Sequence, residues 1–467
     1  MLAQIDPSVD VRWEFGAPDP ALPSDQFAVR WTGTIEPRFT ERYTLSLPHV
    51  DDTARVLVDG AVVIDHPNLW SPSSSTVALV RGQRHDIVVE YSEAWGWAEI
   101  QLAWVSPSQP FEVVPSSQLA PAPKPPPQPA LGPGGASAPS AACTVTQRAV
   151  WWNDDLTYWV FEPASPAPAR APVVVFDHGW MGNDPVHYAH WLDHLCRRGN
   201  IVIVPKYQNL LTLPIFFLPN AVWSVHDALG FLATPGHVQP QLELGMVVVG
   251  HSAGGIVAID MADTWQANAL PFPRALFAVE PGITPLAPLT GLDQIPPATP
   301  VTCLVGNEDT VVGRTACDVV FQRATQVRGK RYVWAFSDDH GTPGLVADHF
   351  APSELTGYTD VLDFLLLWKI ADAMRDCAFL GTSCNVDPTT LGSWSDGDPM
   401  VPATMTFDQA RPYPAGSTAV GCSERWSFYL AQSRGFVATV SSPVRRSGSG
   451  VRGRGLRLAD RSFPRAA

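Results

Sequence analysis

Ser252 stands in Gly250-His251-Ser252-Ala253-Gly254, directly after the apolar run 246–249. A G-x-S-x-G between a buried strand and an apolar helix predicts a turn so tight that its flanking positions must be small, and such a turn thrusts the hydroxyl outward. A serine hydroxyl attacks poorly until a base takes its proton, so an acid and then a histidine are expected farther along. Both occur in that order. Asp309, in Asn307-Glu308-Asp309-Thr310-Val311, follows the apolar run 301–305; Glu308 is its rival, and the spacing of Gly306, Asp309 and Val312 favours Asp309. His340, in Ser337-Asp338-Asp339-His340-Gly341, follows another strand-like run and is the expected base. His349 falls where a helix is expected and reads as a packing or surface residue. Asp338 and Asp339 read as solvated loop charges, either able to orient His340 in place of Asp309. Acyl chemistry also needs N–H donors for a developing oxyanion, and the N–H of Ala253 is the first.

These groups need a scaffold that brings strand ends together. From Thr144 onward strands alternate with helical patterns: 171–180, 187–199, 200–207, 221–234 and 246–255, then further strands to 341 and a last helix at 359–374. That alternation predicts a mostly parallel sheet with helices on both faces. The chain before residue 120 differs, with strand patterns and no helical period, and Asp59-Gly60 sits between two apolar runs as a two-residue hairpin signal. An antiparallel β-sandwich is expected there. Residues 121–142, rich in Pro, Gly and Ala, read as a linker, because proline removes backbone donors. The expected organisation is therefore multidomain: 1–120 sandwich, 121–142 linker, 143–378 catalytic domain, 379–433 an extension packing on it, and 434–467 a basic disordered tail.

Composition narrows the partners. The 467 residues carry a formal charge of −14, and no basic stripe precedes the tail, which argues against nucleic acid. Seventeen Trp and 46 Pro suit β domains, sugar-facing surfaces and plain cores alike. Seven cysteines leave at least one outside any pair; Cys377 with Cys384 and Cys303 with Cys317 are close enough to bridge. No CxxC spacing suggests zinc. No run reaches the ~18 apolar residues of a membrane span, and the first residues show no signal-peptide pattern.

Two resemblances follow from these residues. The strands containing VRWTGTI, YTLSL and VDDTARVLVDGAVVID, with the closing IVVEYSEAWGWAEIQLAW, resemble the β-sandwich first described in anthrax protective antigen, also found in flocculins and glycosidases. In its carbohydrate-binding members an aspartate pair binds calcium that holds sugar hydroxyls. Asp51 and Asp52 fall on that pair, and Glu93 stands where flocculins place an asparagine ligand; a turn cap is the other reading of the aspartates. Trp95 and Trp97 could stack on a sugar or pack in the core. The second part is similar to the α/β-hydrolase family of carboxylesterases and lipases, nearest to dienelactone hydrolases, chlorophyllases and polyester-hydrolysing cutinases. By that match His178-Gly179-Trp180-Met181-Gly182 resembles an H-G-x-x-G turn, in which Trp180 supplies the second oxyanion donor and His178 shapes the turn. The implied protein is a secreted or cell-surface serine hydrolase of small or polymeric carboxylic esters, acting through an acyl-enzyme with no catalytic cofactor. Two alternatives stand beside it: a serine peptidase or amidase of the same fold, and a carbohydrate-binding adhesive protein with an idle hydrolase domain. The apolar stretch 205–223 is either a cap lining an acyl pocket or a buried connection.

Overall fold

The computed structural model describes residues 4–68, 70–283, 289, 291–341, 344–354 and 359–407, which fall into two compact units divided between Ala120 and Pro121. The expected basic tail, the end of the extension and Cys422 lie outside the described residues.

In the first unit alternation writes the fold. His85–Glu93, HDIVVEYSE, buries every second side chain, so Ile87, Val89 and Tyr91 face the core while their neighbours face outward. It is the central strand of a sheet ordered Leu119–Pro121, Phe27–Ile35, His85–Glu93, Thr53–Val58, Ala61–His66. The second sheet runs Asp10–Glu14, Ala98–Val105, Glu41–Val50, Ser74–Leu79, with Glu112–Val113 beside Ala98–Val105. All the pairings recorded in both sheets are antiparallel, and Tyr43, Leu45, Val56, Ile100 and Trp104 lie in the core between them. The hairpin at Asp59-Gly60 has φ of 49° and 73°, the two positive values its turn requires.

The second unit is built on a nine-stranded sheet. Its strands are β1 (Cys143–Arg148), β2 (Tyr158–Pro163), β3 (Val173–Asp177), β4 (Ile201–Pro205), β5 (Met246–His251), β6 (Pro273–Val279), β7 (Val301–Gly306), β8 (Lys330–Ala335) and β9 (Thr404–Phe407). Their order across the sheet is β1-β2-β4-β3-β5-β6-β7-β8-β9. Strands β4 to β8 pair in parallel, and β1, β2 and β9 add antiparallel edges. The central parallel strands are mostly apolar because both faces are covered. Val173 and Val175 face α2 (Phe217–Leu232), α3 (Ala253–Asp263) and α4 (Thr315–Arg323); Val174 and Phe176 face α1 (Ala189–Arg197) and α5 (Trp368–Leu380).

Pro214–Leu232 is long and apolar enough to cross a bilayer by length and composition, against the expectation that no stretch would be. Its apolarity has a local cause: Ala221, Val225, Ala228 and Leu232 of α2 are buried against the sheet. Disulfides join Cys143 to Cys196, Cys303 to Cys317 and Cys377 to Cys384. The first ties β1 to α1 and the second β7 to α4.

The segment expected as a free linker is docked on the second unit. The Gly134 N–H donates to Asp372 Oδ2 at 2.8 Å, where His194 Nε2 also bonds, and the Lys124 N–H donates to Ser395 Oγ at 3.0 Å. Its prolines already restrict φ, so the ordering entropy lost on docking is small. Gly134 has φ +77°, and a Cβ there would lie 1.9 Å from the Phe364 carbonyl oxygen; Gly132 has φ +86° with open space around it. Gly132→Ala should therefore cost about 1 kcal/mol, from backbone strain alone, and Gly134→Ala about 3 kcal/mol or more. Equal losses in chemical denaturation would contradict the docking.

Candidate functional site

The C-terminal ends of β3, β5, β6, β7 and β8 lie along one edge of the sheet, so the residues that follow them converge there. Ser252 follows β5 and precedes α3 with φ 55° and ψ −122°, a conformation costing a non-glycine residue on the order of 1–3 kcal/mol. Packing over-determines it. A Cβ on Gly250 would lie 2.2 Å from the Gly254 carbonyl oxygen, and one on Gly254 would lie 2.1 Å from that of Asp177. The serine's small neighbours are thus required by the contact of β5, α3 and the end of β3.

The histidine that meets Ser252 is His349. Its Nε2 is 2.8 Å from Ser252 Oγ, and its Nδ1 is 3.0 Å from Asp309 Oδ2. Asp309 Oδ1 accepts from the N–H groups of Val311 and Val312 at 2.9 and 3.0 Å. Burial pushes the Asp309 pKa up, but the His349 hydrogen bond and charge and those two N–H groups outweigh it and hold the carboxylate below its ordinary range. An ionised carboxylate, an imidazole and a hydroxyl in line form the relay that primes a serine for attack.

His340, the base expected from sequence, is not in this relay. It is partly exposed, with Nε2 2.8 Å from Asp396 Oδ2, a hydrogen bond that raises its pKa. The physical reason is a chain reversal: Asp338 bridges Leu345, so His340 lies on the outward excursion and the returning strand carries His349 back over Ser252. The glycines at 341 and 344 were the available turn signal. Asp338 is not a solvated charge either. It is buried, accepts from Trp394 Nε1 at 3.0 Å and the Val401 N–H at 2.8 Å, and so anchors the extension.

Sequence reasoning also missed a pair that sets the loops around the serine. The Gly179 N–H donates to Tyr188 Oη at 2.9 Å, and Tyr188 Oη lies 2.7 Å from His251 Nδ1. His251 Nε2 lies 2.9 Å from the carbonyl oxygen of His349. Burial, followed by the charge of His349, holds His251 at about 3, so it is neutral and bridges the 178–182 loop to the base. His178 is buried with Nε2 2.8 Å from the Lys206 carbonyl oxygen, and burial holds it at about 4, in keeping with a turn-shaping role. Trp180 follows Gly179 in the loop beside Ser252, with its ring edge-on to Phe217 at 5.3 Å; Ala253 is the first residue of α3. A small, mostly apolar cleft opens between Pro214, Phe217, Leu218, Ala253, Val257 and Gly282, with Asp260 also in its lining. Of the stretch 205–223, Tyr207 and Phe217 are buried while Leu211 is 87% exposed, so it is not simply a buried connection.

In the first unit, one end of the sandwich gathers Asp51, Asp52 and Glu93, whose oxygens lie within 4.8 Å of one another. Asp52 Oδ2 accepts from the Ala94 N–H at 2.6 Å. Burial, then repulsion from Asp52, raises both Asp51 and Glu93. Glu93 is buried, and its Oε1 has no hydrogen-bond partner among the described residues. Three carboxylates facing one point with an unsatisfied oxygen suit a hard divalent cation such as Ca²⁺. Trp95, in the adjoining loop, is 80% exposed, whereas Trp97 is partly buried with Phe15 edge-on at 5.5 Å.

Residues 2–118 match the PA14 domain. A 130-residue stretch, 27% of the chain, is 41% identical to the anti-sigma-I factor RsgI3 of Acetivibrio thermocellus, and the chain spans about a fifth of that relative's length. Among solved structures, an anti-sigma factor domain-containing protein is 30% identical over 34% of this chain and 62% of its own, with a TM-score of 0.26. Another, from Clostridium clariflavum, is 24% identical over the same shares with a TM-score of 0.25. The likeness thus runs to an anti-sigma factor, by name a regulator, and this corrects the expectation of an α/β-hydrolase-family carboxylesterase or lipase and of an ester substrate. A G-x-S-x-G elbow is local geometry, and a local geometry does not name a family.

Asp177, at the end of β3, is fully buried with neither carboxyl oxygen hydrogen-bonded among the described residues, and burial raises its pKa far above the ordinary range. The folded chain therefore keeps a proton that the unfolded chain releases, so this group's contribution to stability is full below the ordinary carboxylate pKa and falls as pH rises above it. Asp177→Asn should accordingly raise the melting temperature relative to the parent at pH 8 and leave it near the parent at pH 3.5. A pH-independent difference would rule this out.

Proposed function

We propose that the chain is a cell-surface glycan-binding protein in which the sandwich unit recognises the sugar. The observation that carries this is the juxtaposition of Asp51, Asp52 and Glu93 with the exposed Trp95. In this reading Ca²⁺ held by the three carboxylates, Asp51 and Asp52 foremost, takes up sugar hydroxyls, and the indole face covers the apolar side of the ring. The PA14 match supports a recognition module, and the likeness to an anti-sigma-I factor supports recognition over ester cleavage as its role. Three disulfides fit an oxidising setting outside the cell. Addition of Ca²⁺ should raise the first unit's melting temperature by several degrees, with the rise lost in Asp52→Ala. Trp95→Ala should weaken retention on immobilised glycans about tenfold and keep the calcium shift. Retention that survives chelation and both substitutions would exclude the reading.

The Ser252–His349–Asp309 relay favours a second reading, for the other unit. Its strand order, strand-to-helix elbow and helices on both faces support an α/β-hydrolase arrangement, within which Ser252 is an activated nucleophile. His349 takes the hydroxyl proton, Asp309 holds the imidazole, and the N–H groups of Ala253 and Trp180 are the oxyanion donors. A fluorophosphonate probe tests activation without requiring knowledge of a substrate. The full chain should be labelled at Ser252; Ser252→Ala and His349→Ala should lose labelling, and His340→Ala should keep the parent rate. Loss of labelling in His340→Ala with retention in His349→Ala would reverse the assignment, and an unlabelled parent would leave the unit an idle scaffold.

A further inference from the structure

A second carboxyl lies against the base and takes no part in the relay. Glu280 directly follows β6 with φ 47° and is 1% exposed. Its Oε2 lies 3.8 Å from His349 Nδ1 and 3.6 Å from His251 Nε2, both too long for hydrogen bonds, and has no partner among the described residues. A buried, unpartnered carboxyl oxygen costs on the order of 1–3 kcal/mol, so its place beside the imidazole calls for an account. We propose that Glu280 is a positioning residue for His349, a reserve acid that takes the Nδ1 hydrogen bond when Asp309 does not hold it. This rests on the reading of Ser252 as an activated nucleophile.

Geometry provides the reach. A side-chain adjustment of about 1 Å would bring Oε2 within hydrogen-bond distance of Nδ1. Electrostatics keeps the two acids in different states. The groups facing Glu280 are His251 at the end of β5, Asp309 after β7, Asp348 and His349 after β8, and Tyr188 ahead of α1. Burial first, then the charges of Asp309 and Asp348, push Glu280 well above the ordinary carboxylate range, against a hydrogen bond from the Gly306 N–H. While Asp309 is ionised, Glu280 keeps its proton and leaves Nδ1 to Asp309. When the Asp309 charge is removed, one cause of that retention goes, Glu280 releases its proton to solvent, and its carboxylate accepts the Nδ1–H. Two carboxylates near one imidazole thus avoid ionising together.

The test follows phosphonylation of Ser252 in the full chain: the Oγ–P bond forms, the P–F bond breaks, fluoride leaves and the hydroxyl proton passes to His349 Nε2. Asp309→Asn should slow labelling about 100-fold, Glu280→Gln less than about fivefold, and the double variant about 10⁴-fold, well beyond the product of the singles. The Asp309→Asn rate should also rise with pH as Glu280 ionises, and that rise should vanish in the double variant, which loss of fold would not produce. Thermal unfolding of each variant checks the fold. A double variant no slower than the product of the singles, or an unchanged pH profile, overturns the proposal. A parent chain that is not labelled overturns the Ser252 reading, and the proposal with it.

Discussion

The contact between β5, α3 and the end of β3 sets everything at the strand-end edge. Gly250 and Gly254 let three stretches of backbone come closer than any Cβ permits, and Ser252 takes a left-handed φ because the chain must turn within that space. The strain is local, and the force that sustains it is distributed. Every residue of α3 and of β5 is buried, so relaxing the serine would mean unpacking a helix from the middle of the sheet. With that turn held, the residues after β3, β6, β7 and β8 have one place to meet.

What they do on meeting is decided by how each buried acid is treated. Asp309 has three donors, the base and two backbone N–H groups, and burial fails to neutralise it. Glu280 and Asp177, at comparable or greater depth, lack that set of donors and retain their protons. Along one low-dielectric edge burial is thus outweighed at one acid and prevails at two, and the difference lies in hydrogen-bond count more than in depth. His251 and His178 follow the same rule with opposite sign. Burial keeps both neutral, so their rings serve as fixed hydrogen-bonding bridges between loops and His349 remains the imidazole in contact with the serine.

The parts legible in the sequence were those fixed by local physics. The elbow at Ser252 needs small neighbours within two residues, the hairpin at Asp59-Gly60 needs positive φ, and Asp309 follows its strand by three residues. His349 was not legible because its place depends on a bridge between Asp338 and Leu345 that no periodicity announces, and choosing the nearer histidine assumed a chain that did not turn back. Likewise, 121–142 read as free because prolines cannot enter a helix or sheet, yet docking requires neither; a glycine against Phe364 and a donor for Asp372 suffice. The step from triad to carboxylesterase failed differently. Relay geometry describes how a proton moves, and nothing in it specifies an ester or a family.

The sandwich unit deals with its acids by the opposite route. Glu93 is buried like Glu280, but Asp51 and Asp52 share their end of the sheet with solvent, and Asp52 Oδ2 accepts from the N–H groups of Ala94 and Trp95. Burial and repulsion from Asp52 raise Asp51 and Glu93, so charge gathered at this end of the sheet is disfavoured. In the proposed reading a divalent cation compensates that charge from outside and leaves coordination positions that face solvent. On the same reading the exposed indole of Trp95 supplies the apolar half of a sugar-sized surface. Depth alone does not separate the two groups of acids, since Glu93 is as buried as Glu280; access to solvent through Asp51 and Asp52 does, and it is what would let the proposed cation reach the sandwich cluster.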